Sequence, residues 1–590
     1  MSRAIDWRRA TFVSGMLVLT LTVFYANFAA RDIMFGDGGE LSLAAATNGV
    51  AHPPGYPLWI VLGHLFSLLP IGSVPFRINM SAVIYQAITV GLVFLSAYVL
   101  TRRYVASVTA ALLLATNELF VTWSLQAEVF SLNDVFAAAL VLLSLLVLDD
   151  GKRWRLVVPI AALFGLGLAN QQTLVLLAPL AAWAFVCRRD AIPREPATAA
   201  VFVVSGVVLV LGFCLPYIHT WLASQRELGW SFGQARTLHE LVDVILRRAY
   251  GTATLVNGPI AGGSMIVRVY TMLTGVGVVV LLASAEFVVL VHRRRYDLAG
   301  AVALIFFGTV VVFCAMANND ASIAAVRDLF LRFALLPLVA LAPFAAPVLA
   351  LRRVPAIAVL SVVLVFGAHS ALGASLATVA DARTLDRDEF AALPRGAVAF
   401  VKGDSIATTA PYFQIVEGWR PDVLLVFVDL LPGRSYVEQL RRSLIVPKTS
   451  GPPTLTDIVA ANPNRHFFGI GDPEVQGEIN GDGGPFVAYT CGLASEIVTR
   501  RTFIPLSNWY RTEVFRLRAP KYGELSGRTI PFAAVARAYY ANSYFNAGID
   551  AERLRGYDSA RTWFALALTE VPDSPTIIQA FVHLNELSSA

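Results

Sequence analysis

Apolar residues fall in long runs separated by short polar loops over the first two-thirds of the chain, and then the pattern changes. A helix that crosses a bilayer needs about 20 apolar residues, and about eleven runs approach that length, at 11–30, 79–101, 105–122, 131–148, 156–169, 172–187, 198–218, 264–291, 298–317, 329–351 and 355–379. The pair at 156–187 is short for two full crossings. From about Asp381 the hydropathy falls to that of a soluble domain, and short β-rich runs follow: AVAFV at 397–401, DVLLVFV at 422–428, HFFGI at 466–470 and PFVAYT at 485–490. Helical stretches such as APYFQIVEG lie between them, which predicts a small α/β domain. From about Pro531 the chain reads as helical and aromatic. Tyr544, Gly548, Ala560, Phe564, Ala567 and Pro572 fit one 34-residue tetratricopeptide unit, or equally a generic amphipathic helix pair. The expected architecture is a polytopic α-helical membrane domain at 1–379, a soluble α/β domain at 380–530 and a tetratricopeptide-like segment at 531–590.

Composition agrees with the hydropathy pattern. Of 590 residues 56% are hydrophobic and 15% charged, with a mean hydropathy of +0.63, against about 25% charged in soluble proteins. The net charge of +5 comes largely from basic loops, so it reports orientation and gives no reason to expect a nucleic-acid partner. Arg102/Arg103, Lys152/Arg153/Arg155, Arg188/Arg189, Arg293/Arg294/Arg295 and Arg352/Arg353 close alternate loops. With the basic N-terminus they share one side, which the positive-inside rule makes cytoplasmic. The first run lacks a small-residue cleavage site and reads as a retained signal anchor. Cys187, Cys214, Cys314 and Cys491 form no disulfide framework and no metal-ligand spacing.

The unusual polar groups then gather on the opposite face. DIMFGDGGELSLAAATNGVAHPPGYPLW, residues 32–59, sets Asp32, Asp37, Glu40 and His52 against a membrane boundary, where charges are costly unless they face water or do work. Asp37 and Glu40 are three apart, close enough to share a helical face. Glycosyl transfer from a phosphate-linked donor needs a carboxylate to take the acceptor's proton. The plain alternative is a capping turn, with Asp37 as N-cap and Glu40 at the third position. HPPGYP forces an extended or turned backbone, so His52 and Tyr56 fit a cavity wall or a simple re-entrant turn. Arg77, Arg248 beside Tyr250, Arg327 and Arg332 break the charge rule by lying outward. Each suits a phosphate, for which guanidinium offers a planar bidentate fork, or snorkels to headgroups. Glu128 and Asn170 lie between apolar segments as further candidates, or as ordinary helix-end and turn residues.

GDGGELSLAAATNGVAHPPGYPLW followed by PFRINMSAV resembles the signature of the DUF2723 family, which includes the TMEM260-type protein O-mannosyltransferases. WSLQAEVFSLN, GLGLANQQTLVLLAP, RRAYG and GDSIATTAPYFQIVEGWRPDVLLV extend the resemblance over most of the chain. It implies a GT-C glycosyltransferase fold, a polyprenyl-phosphate sugar donor, and a catalytic acid in the first outward loop that falls on Asp37 with Glu40 beside it. Three departures stand out. Gly38 replaces the family's serine, NQQT replaces a histidine-bearing segment, which leaves Gln171 without that role, and WSFGQARTL lacks an acid found in relatives.

The sequence thus predicts a membrane enzyme that transfers a sugar, mannose first, from a polyprenyl-phosphate donor to an extracytoplasmic acceptor, with inversion and without a metal or other cofactor. Asp37 and Glu40 are its expected catalytic pair. Asp32, His52, Tyr56, Arg77, Glu128, Asn170, Arg248, Tyr250, Arg327 and Arg332 are its expected substrate contacts. Its partners would be the lipid-linked donor, membrane lipids and a protein or glycan acceptor presented by the C-terminal domains. The expected location is the plasma (inner) membrane. A transporter of lipid-linked sugar is the competing reading. It predicts internal repeats and ionisable groups near the bilayer midplane, neither of which stands out in the sequence.

Overall fold

The computed structural model describes residues 5–226, 230–231, 233–252, 254–255, 264–350, 367, 372–402, 408–471, 474–481, 483–500, 533–553 and 556–589. The chain forms two compact units. One comprises 1–31, 44–226 and 231–379; the other comprises 32–43, 227–230 and 380–590.

Among the described residues of the first unit six helices are long and apolar enough to cross a bilayer: Trp7–Phe28, Val74–Thr101, Val129–Asp149, Pro196–Ser224, Tyr296–Met316 and Leu329–Leu349. Two more crossings exist if each of two bent pairs counts as one. The run at 264–291, which hydropathy presents as a single span, is two helices, Met265–Val276 and Val278–His292, bent by 94°. Gly277 causes the break: at φ 59°, ψ −138° it takes a conformation closed to residues with a Cβ. The run at 105–122 is likewise bent by 67°, where the Asn117 side chain accepts from Phe120 N at 3.2 Å and starts a new helix. Val157–Leu168 extends roughly 18 Å at 1.5 Å per residue, and Gln172–Cys187, whose first six residues form a 3-10 helix, roughly 27 Å, both short of a hydrocarbon core of about 30 Å. The run at 355–379 lies largely outside the described residues.

Burial separates central helices from peripheral ones. In Val74–Thr101 and Val129–Asp149 most of the apolar window is enclosed, 78% and 83%, against 17% for Trp7–Phe28 and 11% for Pro196–Ser224. The latter two present Phe12, Leu19, Val203 and Leu215 outward, as helices facing lipid tails do. Small residues bring backbones close, the usual packing device where lipid removes the hydrophobic drive. A Cβ on Gly165 would lie 2.3 Å from the Leu209 carbonyl oxygen, so the short helix can rest on Pro196–Ser224 only because that position is glycine. Gln86 Nε2 donates to Asp134 Oδ2 at 2.8 Å between the two central helices, and both side chains are wholly buried.

The second unit contains a five-stranded sheet: β1 Val398–Lys402, β2 Leu424–Phe427, β3 Phe467–Gly471, β4 Phe486–Cys491 and β5 Ala494–Thr499. Its order is β2-β1-β3-β5-β4. β1 runs parallel to both β2 and β3, whereas β5 pairs antiparallel with β3 and β4. Helices Arg434–Leu440, Leu455–Ala461 and Glu474–Gly481 pack Leu440, Ile458 and Val475 against Val398, Phe400 and Phe467. Four strands match the four β-rich runs. ASEIVT forms a fifth after Gly492, whose φ of 64° allows the tight reversal, and its alternating Ser and Glu hide it from a hydropathy search. Helices Ala533–Arg553, Tyr557–Glu570 and Pro575–Ser589 follow. Ala560, Phe564 and Leu584 form their core. Gly548 is needed there, because a Cβ would sit 2.5 Å from the Phe564 ring. Tyr540 Oη donates to Asp388 Oδ2 at 2.7 Å, tying these helices to Asp381–Ala391.

Candidate functional site

The acid-bearing loop packs in the second unit, with the C-terminal fold. Asp37 is the first residue of helix Asp37–Thr47 and Glu40 completes its first turn, so both carboxylates sit where the helix dipole favours negative charge. Asp37 is half-buried and Glu40 is buried. The glycines around them differ in what they permit. Gly36, at φ 75°, makes the turn into the helix. A Cβ on Gly39 would meet Thr409 Cγ2 at 2.8 Å and the Thr408 carbonyl oxygen at 2.9 Å, so glycine admits a backbone approach there. At Gly38 the nearest atom is Met34 Cβ at 3.5 Å, and a serine in its place would fit.

Residues from beyond 380 hold this loop. Thr408 Oγ1 donates to the Gly36 carbonyl at 3.1 Å. Arg383 forks onto Asp32, with Nη2 2.9 Å from Oδ1 and Nε on Oδ2. It also donates to Glu417, from Nη1 at 2.6 Å and from Nη2 at 2.8 Å. Its guanidinium carbon lies 4.8 Å from the Phe413 ring centre and 5.4 Å from that of Trp419. The two rings are themselves stacked at 4.6 Å. Hydrogen bonds that it donates to Glu417, and then to Asp32, raise the Arg383 pKa against the opposing effect of burial and keep it cationic. Asp386, wholly enclosed beside Thr409, has its pKa pushed well above the usual carboxylate range by burial, and Asp32 adds to the effect. Asp32, expected to touch substrate, therefore spends both oxygens on Arg383.

In the membrane unit two groups of expected residues come together. Glu128, just ahead of helix Val129–Asp149, pairs with Arg332 Nη1 at 3.2 Å. Arg332 lies over the rings of Phe130 at 5.2 Å and Phe333 at 5.8 Å. Asn170 Nδ2 donates to the Val129 carbonyl at 3.1 Å, beside that pair. The second group is aromatic. Gly55 at φ 89° and Tyr56 at φ 43° turn the HPPGYP loop. His52 Nε2 then meets Tyr56 Oη at 3.2 Å, with the Tyr250 ring 6.2 Å from the imidazole.

Three arginines fall apart from these groups. Arg77 donates to the carbonyls of Ser67, Ile71 and Gly72 at 3.1, 2.6 and 3.0 Å, clasping the end of helix Pro57–Ser67. Arg248 is half exposed and pairs with Asp243 at 2.6 Å. Arg327 is exposed. Among the described residues no group of three or more His, Cys, Asp or Glu is placed to hold a metal ion.

Other residues took structural duties that the sequence reading did not assign. Asn79 Nδ2 donates to the Ala30 carbonyl at 3.0 Å, and its Oδ1 accepts from Ala127 N at 2.8 Å. It thereby stitches the exit of the first span to the segment carrying Glu128. Its signal was a lone amide inside an apolar run. Arg383, in the charged helix DARTLDRDEF, had no signal of its own. Its partners Thr408, Glu417 and Trp419 lie within GDSIATTAPYFQIVEGWRP.

Comparison with known proteins follows the same lines. Residues 37–193, beginning at the candidate acid, match the family model described as the Protein O-mannosyl-transferase TMEM260 N-terminal domain. The mouse Protein O-mannosyl-transferase TMEM260 is 28% identical over 465 residues, covering 74% of this chain and 64% of the mouse protein. Its Dictyostelium discoideum namesake is 28% identical over 263 residues, covering 41% of this chain and 31% of that protein. The chain thus spans less than two-thirds of either relative. Among solved structures, ArnT from Cupriavidus metallidurans superposes with a TM-score of 0.51 in both its apo state and its complex with undecaprenyl phosphate. The identities are 11% and 13%, with 83% and 86% of this chain and 98% and 99% of ArnT covered. The GT-C architecture and the resemblance to the TMEM260-type family are therefore borne out, and the chain is a multi-pass membrane protein.

Proposed function

We propose that this GT-C chain, a relative of the TMEM260-type proteins, is a glycosyltransferase that moves mannose from a polyprenyl-phosphate carrier to Ser or Thr hydroxyls of an exported protein. One observation carries the reading: Asp37 stands half-buried at the first residue of a helix, at the start of the family match, directly after a loop held at Asp32 and Gly36. The names of the mouse and Dictyostelium relatives support a mannosyl donor and a protein acceptor. The ArnT complex with undecaprenyl phosphate supports a polyprenyl-phosphate donor.

In the reaction the acceptor hydroxyl attacks the anomeric carbon from the face opposite the phosphate. Its proton passes to Asp37 as the new C–O bond forms, a role for which a positioned carboxylate suits. The bond between the anomeric carbon and the phosphate oxygen breaks, and the carrier phosphate leaves with the electron pair, so configuration inverts. Glu40 supports the first turn from its buried position. Arg248, Arg327 and Arg332 are the guanidinium candidates for the carrier phosphate, while Arg77 is occupied by carbonyls. Guanidinium at the carrier phosphate would supply the counter-charge the leaving group needs without a metal. The alternate basic loops support placing Asp37 and the C-terminal fold on the extracytoplasmic face of the plasma (inner) membrane.

The test incubates purified full chain with radiolabelled polyprenyl-phosphate-mannose and Ser/Thr-containing protein acceptors, comparing wild type with Asp37→Asn. Loss of a general base predicts a fall of roughly 10²- to 10⁴-fold. Equal transfer by Asp37→Asn removes the assignment. Movement of the lipid between leaflets with no transfer by wild type replaces the enzyme with a transporter.

A further inference from the structure

We infer that Arg383 is a positioning residue for the catalytic loop: through Asp32 and Glu417 the C-terminal fold fixes where Asp37 stands. The inference rests on the reading of Asp37 as the base, but its geometry is independent of that reading.

Three contacts grip the loop within one compact unit, at Asp32, Gly36 and Gly39, so that Asp37 lies inside the gripped span. The Asp32 contact is the strongest chemically. A guanidinium fork on a carboxylate sets direction as well as distance, and here the same guanidinium forks onto a second carboxylate, Glu417, while the stacked rings of Phe413 and Trp419 hold its carbon. Glu417 lies just past helix Ala410–Ile415, and Arg383 lies on helix Asp381–Ala391. The loop is thereby referred to two packed helices. The Gly39 contact acts differently: the glycine lies so close to the Thr408 carbonyl and the Thr409 side-chain methyl that a single added methyl would push them apart.

Such a grip matters because effective molarity depends on placement. A shift of about 1 Å in a catalytic group costs on the order of 10²-fold in rate. A residue that places the base without touching substrate lowers kcat and leaves the donor's KM in place. A residue that binds the carrier phosphate raises KM instead.

The experiment compares full-length wild type, Arg383→Gln, Asp32→Asn, the double variant and Gly39→Ala, with the exposed Arg434→Gln as control. Amide hydrogen exchange of peptides covering 32–40 is the first readout, and kcat and KM for polyprenyl-phosphate-mannose the second. Arg383→Gln should speed exchange in 32–40 by tenfold or more while β1 and β3 peptides stay at wild-type rates. It should also lower kcat ten- to a hundredfold at unchanged KM. Asp32→Asn should give the same loss and the double variant no further loss, since both remove one clasp. Gly39→Ala should reproduce the effect with every charge retained. Unchanged exchange at 32–40, or a rise in KM with kcat intact, overturns the inference. If Arg383→Gln speeds exchange in the strands as well, Gly39→Ala decides between a grip and a general loss of folding. If wild type transfers no sugar, the functional reading fails, and the exchange data alone decide whether Arg383 fixes the loop.

Discussion

Arg332→Leu offers a test of what the Glu128–Arg332 pair does. The side chains are 3% and 14% exposed, and their charges lie 3.2 Å apart. At an effective dielectric near 20 their attraction is about 5 kcal/mol, largely cancelled by the cost of drying both ions. Removing Arg332 alone keeps the cost for Glu128 and loses the attraction, so about 3–5 kcal/mol of stability should go. Loss of the ring contacts with Phe130 and Phe333 adds up to about 1 kcal/mol. Replacing both residues with leucine removes the cost together with the attraction and should recover most of the loss. Thermal unfolding of the full chain in lipid nanodiscs, followed by tryptophan fluorescence, reads the three proteins side by side. Arg332→Leu at the wild-type midpoint would refute the reasoning, as would a double variant no more stable than the single one. Sugar transfer by the same proteins separates roles. A stable but inactive double variant assigns the pair to the reaction, and a stable, active one leaves it to the architecture.

Three further outcomes are expected. Asn79→Leu orphans the Ala30 carbonyl and the Ala127 N–H, at about 1–3 kcal/mol for each buried group left unmet. Its unfolding midpoint should fall well below that of an exposed substitution such as Arg327→Gln. Gly548→Ala drives a methyl into the Phe564 ring and should cost about 1–3 kcal/mol through overpacking, seen as faster exchange in Tyr557–Glu570 peptides while β1 is unchanged. Burial raises the Asp381 pKa from about 3.8 to about 6, with Arg537 opposing. The folded state therefore holds a proton that the unfolded chain releases, and its contribution is full below the unfolded value and is lost as pH rises through 6. The midpoint of Asp381→Asn relative to wild type should accordingly be higher at pH 7 than at pH 4.5; a constant difference would remove Asp381 as the cause.

The sequence carried the long-range plan wherever a local rule was strong. Six of the eleven apolar runs coincide with long apolar helices among the described residues, and the composition shift near Asp381 precedes the sheet. Gly and Asn defeated the run-length rule at 264–291 and 105–122: hydropathy averages over Gly277 and Asn117, although one changes the backbone and the other caps a helix. The acids of the first loop were legible because charge beside lipid is conspicuous. What Asp32 does was not. Its partner lies 351 residues later, and no local spacing connects DIMFGDGGE to DARTLDRDEF. Glu128 and Arg332 were each noticed alone, 204 residues apart, but their pairing depends on how two spans pack. Gly38 and Gly39 look alike in sequence, and only the approach of Thr408 and Thr409 tells them apart.

The reach of the Arg383 clasp bears on how the protein is made. At about 5–20 residues per second, the ribosome needs on the order of 20–70 s to travel from Asp32 to its partner. Throughout that interval the first membrane helix can already be inserted while Asp32 waits for its counter-charge. A nascent or prematurely terminated chain would thus bear the acids with nothing to aim them. Competence for the proposed chemistry would arrive only once Arg383 and Glu417 have been made and folded onto Asp32.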